Sequence, residues 1–255
     1  MLDMELTPRC IIITSNIITV LTVIIKEEKM KKPYIICHMM TSVDGRIDCA
    51  MTEQLPGVQE YYETLDELET PSRVSGRVTA MLEMALPGEF SGSADSKPFG
   101  KEGYSKAVDA KGYEIVTDTK GSLLWDDDSG SERPLLIVTS ENVSSEYLAY
   151  LENRHISWIA CGKDKIDLVH ICDILADKFG VERMAVVGGG HVNAGFLKDG
   201  LLDEVSILIG AGIDGRAGMA AVFDGLSSDR PVTQLKLTDV KKYDSDAVWL
   251  RYTVK

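Results

Sequence analysis

Short apolar runs alternate with stretches of helical periodicity from residue 33 onward, the spacing expected of strands joined by crossover helices. Residues 34–40 read as a buried strand, closed by the turn Thr41-Ser42-Val43-Asp44-Gly45. Residues 59–68 carry helical spacing with acids on one side. Residues 74–86 mix apolar and polar positions as a further helix, which stops at Pro87-Gly88. Residues 90–110 are rich in Ser, Gly, Lys and Asp and read as a long surface loop, a kind of segment that often serves as a lid. A strand over 113–117 follows. The polar excursion over 121–133 carries Asp126-Asp127-Asp128, read as a solvated run because it lacks cation-ligand spacing.

The second half is more regular. Strand 135–139, helix 146–153, strand 156–160, helix 168–179 and strand 184–187 are joined by connections short enough for βαβ units. Segments 205–209, 232–240 and 247–254 are strand-like without helices between them, so the C-terminal edge is expected to be antiparallel. Asp244-Ser245-Asp246 turns the last hairpin. The expected fold class is α/β: a mixed, mostly parallel central sheet with helices on both faces and an antiparallel C-terminal edge.

Composition bounds the partners. A chain of 255 residues, 44% hydrophobic and 26% charged, buries one good core. With a net charge of −13 and no basic stripe, neither nucleic acid nor an anionic membrane surface is an expected partner. Cys10, Cys37, Cys49, Cys161 and Cys172 contain no C-x-x-C pair and suit a reduced, cytoplasmic protein. His38, His155, His170 and His191 show no metal-site spacing, so no metal is assigned. The most apolar stretch, residues 10–25, falls short of the roughly 20 residues a bilayer span needs and lacks signal-peptide flanks. Residues 1–29 are therefore expected to be an upstream or disordered extension, and residues 30–255 a single domain.

The residues with the most chemistry are Gly188-Gly189-Gly190, which close a predicted strand and open a helix near His191-Val192-Asn193. Glycines let a ligand approach the main chain, and a helix start offers unpaired N–H groups and partial positive charge to a phosphate. The same glycines also suit plain helix–strand packing, so the turn alone leaves both readings open.

The segments ICHMMTSVDGRI (36–47), SGRVT (75–79), YEIVTDTKG (113–121) and VVGGGHVNAGFLKDGLLDEVSILIGAGIDG (186–215) resemble, in chain order, the pyrimidine-reductase domain of riboflavin biosynthesis. The resemblance implies a dihydrofolate-reductase-like fold, NADPH as hydride donor, a small-molecule substrate and a homodimer. It assigns Gly188, Gly189, Gly190 and Asn193 to the cofactor pyrophosphate. Gly76, Arg77 and Thr79 become a second phosphate contact, where a guanidinium fork fits phosphate oxygens. Thr139 and Ser140, at a strand end, are assigned to the adenosine ribose or its 2′-phosphate. Asp44 is the candidate catalytic and substrate-orienting carboxylate and, with bound water, the candidate proton donor, with Ser42 and Thr41 beside it. The implied reaction is NADPH-dependent reduction at the ribosyl C1′ of a ribosylaminopyrimidine phosphate. The domain's usual Glu before the glycines is replaced by Gly188, and the deaminase half is missing. Reduction of a pterin, folate or other carbonyl compound, and a non-catalytic nucleotide-binding module, therefore stand as alternatives.

Overall fold

Alternate residues of β1 (Tyr34–Thr41) enter different cores: Ile35, Cys37 and Met39 join one apolar cluster, Ile36 and Met40 another. That two-sided burial is the mark of a central strand covered on both faces. The computed structural model describes residues 31–255, so the expected extension over 1–29 lies outside the described residues. After β1 come α1 (Cys49–Thr52), α2 (Val58–Glu67), β2 (Ser72–Gly76), α3 (Arg77–Glu83), β3 (Gly103–Ser105) and β4 (Glu114–Thr117). The chain continues through β5 (Leu135–Thr139), α4 (Ser145–Glu152), β6 (Ser157–Ala160), α5 (Leu168–Lys178) and β7 (Arg183–Gly188). It ends with α6 (Gly190–Lys198), β8 (Glu204–Ile209), β9 (Leu235–Lys242) and β10 (Val248–Val254).

The strands form one sheet in the order β3-β6-β5-β4-β2-β7-β1-β8-β10-β9. All neighbours from β6 to β8 are parallel; β10 and β9 add the antiparallel C-terminal edge, and β3 pairs antiparallel at the other end. Residues of α5 and α6 share a core with Ile35, Leu136, Val138 and Val186. Tyr147, Leu148 and Leu151 of α4 and Ala80 of α3 pack on the opposite face with Val116 and Ile137. The mixed sheet with helices on both faces is as the pattern predicts.

Three local expectations are corrected. Residues 74–86 are not one helix: Val74, only 1% exposed, lies in β2 between β4 and β7, and the helix begins after Gly76. A run of three residues cannot separate strand from helix by period, and the waiting parallel neighbours decided it. The segment 90–110 contains the edge strand β3. Asp128 is not merely solvated; its carboxylate accepts the Leu135 N–H at 2.6 Å, and burial raises its pKa. Among the described residues, no helix is long and apolar enough to cross a membrane.

Candidate active site

Chain order reverses across the centre of the sheet, where β7 lies between β1 and β2. After β2 and β7 the chain leaves to opposite faces, α3 to one and α6 to the other, the arrangement that opens a ligand crevice at the carboxyl ends of strands in open α/β sheets. Gly76, Gly188 and the turn after Thr41 all reach this edge. In register, Ser75 pairs with Gly188, with an irregularity just before them.

The glycine turn is packed from two sides. A Cβ on Gly76 would lie 2.7 Å from Val192 of α6, and one on Gly188 would lie 3.1 Å from Thr79 Oγ1. Gly76, Thr79, Gly188 and Val192 thus meet at one point. Gly190 is the first residue of α6, one position earlier than expected, and a Cβ there would run into the Ala221 carbonyl oxygen. Asn193 is fully buried and donates from Nδ2 to the Val222 carbonyl at 2.7 Å. Its amide therefore fastens a distant loop. The first N–H groups of α6 have no intrahelical partners by the geometry of a helix start. Two buried polar atoms beside the turn, Ser75 Oγ and Asn193 Oδ1, have no hydrogen-bond partner among the described residues. Leaving such atoms unpaired is costly, so the surroundings fit a polar ligand.

The other predicted cofactor residues are placed less uniformly. Arg77 opens α3 and has Glu89 3.9 Å from Nη1, with its side chain 41% exposed. Thr139 and Ser140 are buried, with hydroxyls donating to the carbonyls of Ile159 at 3.4 Å and Thr119 at 3.0 Å. Both hydroxyl protons are directed at the main chain.

Across the crevice, the turn after β1 is held by its own bonds. Ser42 N–H donates to the Arg46 carbonyl at 3.1 Å, Gly45 N–H to the Ser42 carbonyl at 2.9 Å, and Thr41 Oγ1 to the Ser42 carbonyl at 2.8 Å. Gly45 sits at φ +79, which a glycine adopts without strain. Asp44 accepts from Ser42 Oγ at 2.7 Å and from the N–H groups of Asp214 and Gly215, each at 3.0 Å. Those bonds, the Ser42 one foremost, hold its carboxyl well below the ordinary carboxylate value of 3.8. Asp44 is ionised, and it is an acceptor. A proton donor it is not, which removes the only side chain that sequence reading offers for that step.

Sequence reasoning gave no role to the segment 210–225, although its start lies within the quoted 186–215, and this segment straps the two sides together. Gly210 N–H donates to the Thr41 carbonyl and Val43 N–H to the Gly212 carbonyl, both at 2.8 Å. Asp44 takes the N–H groups of Asp214 and Gly215, and Arg46 Nη1 reaches the Met219 carbonyl at 2.7 Å. Asp224 N–H then donates to the Gly190 carbonyl at 3.1 Å, and Asn193 holds Val222. Arg216 adds ion pairs to Asp214 at 2.5 Å and to Asp48 at 3.2 Å. The available signal was the density of glycines at 210, 212, 215, 218 and 225. Ser75 was missed as well, although it lies within the quoted SGRVT.

Comparison with known proteins places the chain in a family. Residues 33–249 match the RibD C-terminal domain family. A 2,5-diamino-6-ribosylamino-4(3H)-pyrimidinone 5′-phosphate reductase of Methanothermobacter thermautotrophicus is 30% identical over 125 residues, covering 49% of this chain and 57% of that protein. A pyrimidine reductase-like protein of Corynebacterium diphtheriae superposes with a TM-score of 0.66 at 19% identity, covering 88% of this chain and 93% of its own. RibD of Acinetobacter baumannii gives a TM-score of 0.63 at 16% identity, over 89% and 59% of the respective chains. At such identities, the likeness to the solved structures is one of fold.

Proposed function

The chain belongs to the RibD C-terminal domain family, and we propose that it is a nicotinamide-dependent reductase of the riboflavin-pathway type. The observation that carries this reading is the convergence of Gly76, Thr79 and Gly188–Gly190 on one side of the switch-point crevice, with Asp44 on the other. The proposed donor is NADPH and the acceptor the C1′ of a ring-opened ribosylamino group on a pyrimidine phosphate, the substrate class named for the Methanothermobacter relative. When bound, the reduced nicotinamide supplies the hydride.

The chain's own residues do the rest. The N–H groups opening α6, with Ser75 Oγ, hold phosphate oxygens of the cofactor, and Arg77 adds a guanidinium from the start of α3. Ionised Asp44 accepts hydrogen bonds from the substrate and orients the carbon to be reduced. Ring opening moves the amino proton to the sugar ring oxygen, so the proton that balances the hydride goes to the nitrogen on C1′; because Asp44 carries none, solvent water supplies it. The strap over 210–225 holds both walls at fixed separation.

Saturating NADPH and NADH are added separately in a thermal-shift assay, and turnover is read as NADPH consumption with the ribosylaminopyrimidine phosphate. A stabilising shift with NADPH plus turnover is expected. A shift without turnover on that substrate, but with turnover on a pterin or folate, transfers the reading to a different carbonyl substrate, which the absence of a carboxylate at Gly188 favours. Binding without turnover on any substrate leaves a nucleotide-binding module, and no shift with either cofactor removes the glycine argument. Gly188→Glu tests the substrate directly: a gain on the ribosyl substrate is expected.

Two further expectations belong to the same reading. The chain acts as a homodimer; the edge strand β9 exposes Leu237 and Val240 by half, and light scattering on the purified protein reports the mass. It works in a reducing, cytoplasmic setting, motivated by the free thiols of Cys37, Cys49, Cys161 and Cys172, and fractionation locates it.

A further inference from the structure

Directly after β6, Cys161 still takes part in the sheet: its N–H donates to the Thr139 carbonyl at 3.1 Å. Its own carbonyl accepts from Asp167 N–H at 3.3 Å, and Asp167 in turn caps α5 by accepting the His170 N–H at 3.1 Å. Between the two, the chain doubles back so tightly that a Cβ on Gly162, at φ +84, would run into the Lys165 carbonyl. The thiol and the first turn of α5 are therefore fixed in one frame. From the other side, β3 pairs with β6 so that Gly103 faces Ala160, and the same register continued by one step sets Glu102 opposite Cys161. The Glu102 carboxylate lies 2.9 Å from His170 Nε2 and 3.9 Å from Cys161 Sγ. One donor atom from each of the three lies within 4.8 Å of the others.

We propose that Glu102, Cys161 and His170 form a binding site for a divalent transition-metal ion, with Zn²⁺ the best match to a thiolate, imidazole and carboxylate donor set. Tetrahedral bond lengths for those donors put ligand atoms roughly 3.3–3.7 Å apart, so the two Glu102 spacings need shifts of about half an ångström, while the Cys161–His170 spacing, within 4.8 Å, closes by about 1 Å at most. His170 and Glu102 are half exposed while Cys161 is buried, which leaves the fourth position open to water. The field around the thiol suits a dication. Burial first, then the charges of Glu102, Asp167 and Glu141, push the Cys161 thiol up to about 12. A bound dication reverses that balance: the sulfur–metal bond forms as the thiol proton leaves to solvent. The ion would pin edge strand β3 to α5, one strand away from Thr139. It lies outside the proposed reductase crevice, and it accounts for three donors that hydride transfer does not use.

The test is Co²⁺ titration of the chelator-stripped full chain, followed by Zn²⁺ competition and melting. One equivalent of Co²⁺ with thiolate-to-cobalt charge-transfer absorption, displaced by Zn²⁺, is expected, together with a Zn²⁺-dependent rise in Tm. His170→Ala changes a half-exposed side chain in the first turn of α5 and leaves the fold intact. It should abolish the band and weaken binding by more than the roughly 10- to 100-fold that loss of a partner behind a ligand costs. Cys161→Ser should do the same. Cys49→Ser is the control, since Cys49 sits apart with Glu83 at 3.2 Å, and should retain the band. No band at stoichiometric Co²⁺, a band that survives His170→Ala, or one lost with Cys49→Ser overturns the proposal.

Discussion

The strap over 210–225 is fastened at two ends by different physics. On the α6 side the contacts between helix and strap are steric and neutral: the bare Cα of Gly190 lets the Ala221 carbonyl close in, and the Asn193 amide holds Val222, while the one carboxylate there, Asp224, accepts the strap's own Ala221 N–H. On the β1 side it is charged: the Asp44 carboxylate collects two main-chain N–H groups and a serine hydroxyl. A packed contact has no pH dependence and tolerates no added volume. A charged clasp accepts small changes of shape but depends on ionisation. The difference teaches that the two walls of one crevice fail under different perturbations, so each can be broken alone.

Gly190→Ala is expected to have the largest effect. The methyl group has backbone, not a flexible side chain, against it, and overpacking of this kind costs about 1–3 kcal/mol. Reductase turnover should be nearly lost, and NADPH protection in melting should shrink with it. Asn193→Ala comes next. It frees the half-buried Val222 carbonyl, at no more than about 1–3 kcal/mol for an unsatisfied group, partly offset because the orphaned Oδ1 is removed too. Chemical denaturation of the variant measures the net loss, and a stability equal to wild type would show that the amide fastens nothing.

Asp44→Asn should be milder in stability yet severe in turnover, because the amide keeps the shape but surrenders an acceptor and the charge. The charged side also has an acid signature. The Asp44 carboxyl titrates far below 3.8 in the folded state and near 3.8 in the unfolded chain. Its contribution is therefore complete above about pH 4 and fades as pH falls further toward the folded value. Melting of wild type and Asp44→Asn should differ by a constant amount from pH 5 to 8 and converge in acid. A gap that widens in acid would reverse the assignment. The smallest effect is expected at Thr139→Val: its hydroxyl already serves Ile159, so NADPH affinity should change by less than about threefold. A larger loss would mean that the hydroxyl faces the cofactor after all.

Most strands were legible in the sequence because each is a run of apolar residues bounded by turn chemistry. Residues 135–139 form a strand with the expected limits, and 184–187 differs by one residue at each end. β2 was not legible. Val74-Ser75-Gly76 has too few residues to show a period, and only the parallel neighbours β4 and β7 make it a strand. Within the candidate site, the glycine turn and the Asp44 turn were readable as local motifs. The strap was not, because its bonds to Thr41, Asp44 and Asn193 join positions far apart in the chain.

The sequence by itself determined the class of fold, the antiparallel C-terminal edge and the glycine turn at the head of α6, all of which follow from local periodicity and backbone freedom. Tertiary structure alone decided which side chains meet. It turned Asp44 from a candidate proton donor into an ionised clasp by setting Asp214 and Gly215 against it. It also brought Glu102, Cys161 and His170 together, although their spacing along the chain had suggested no metal site. The reason is physical: hydrogen bonds and coordination depend on distances of a few ångströms, and sequence separation fixes those distances only within a single turn, helix or strand.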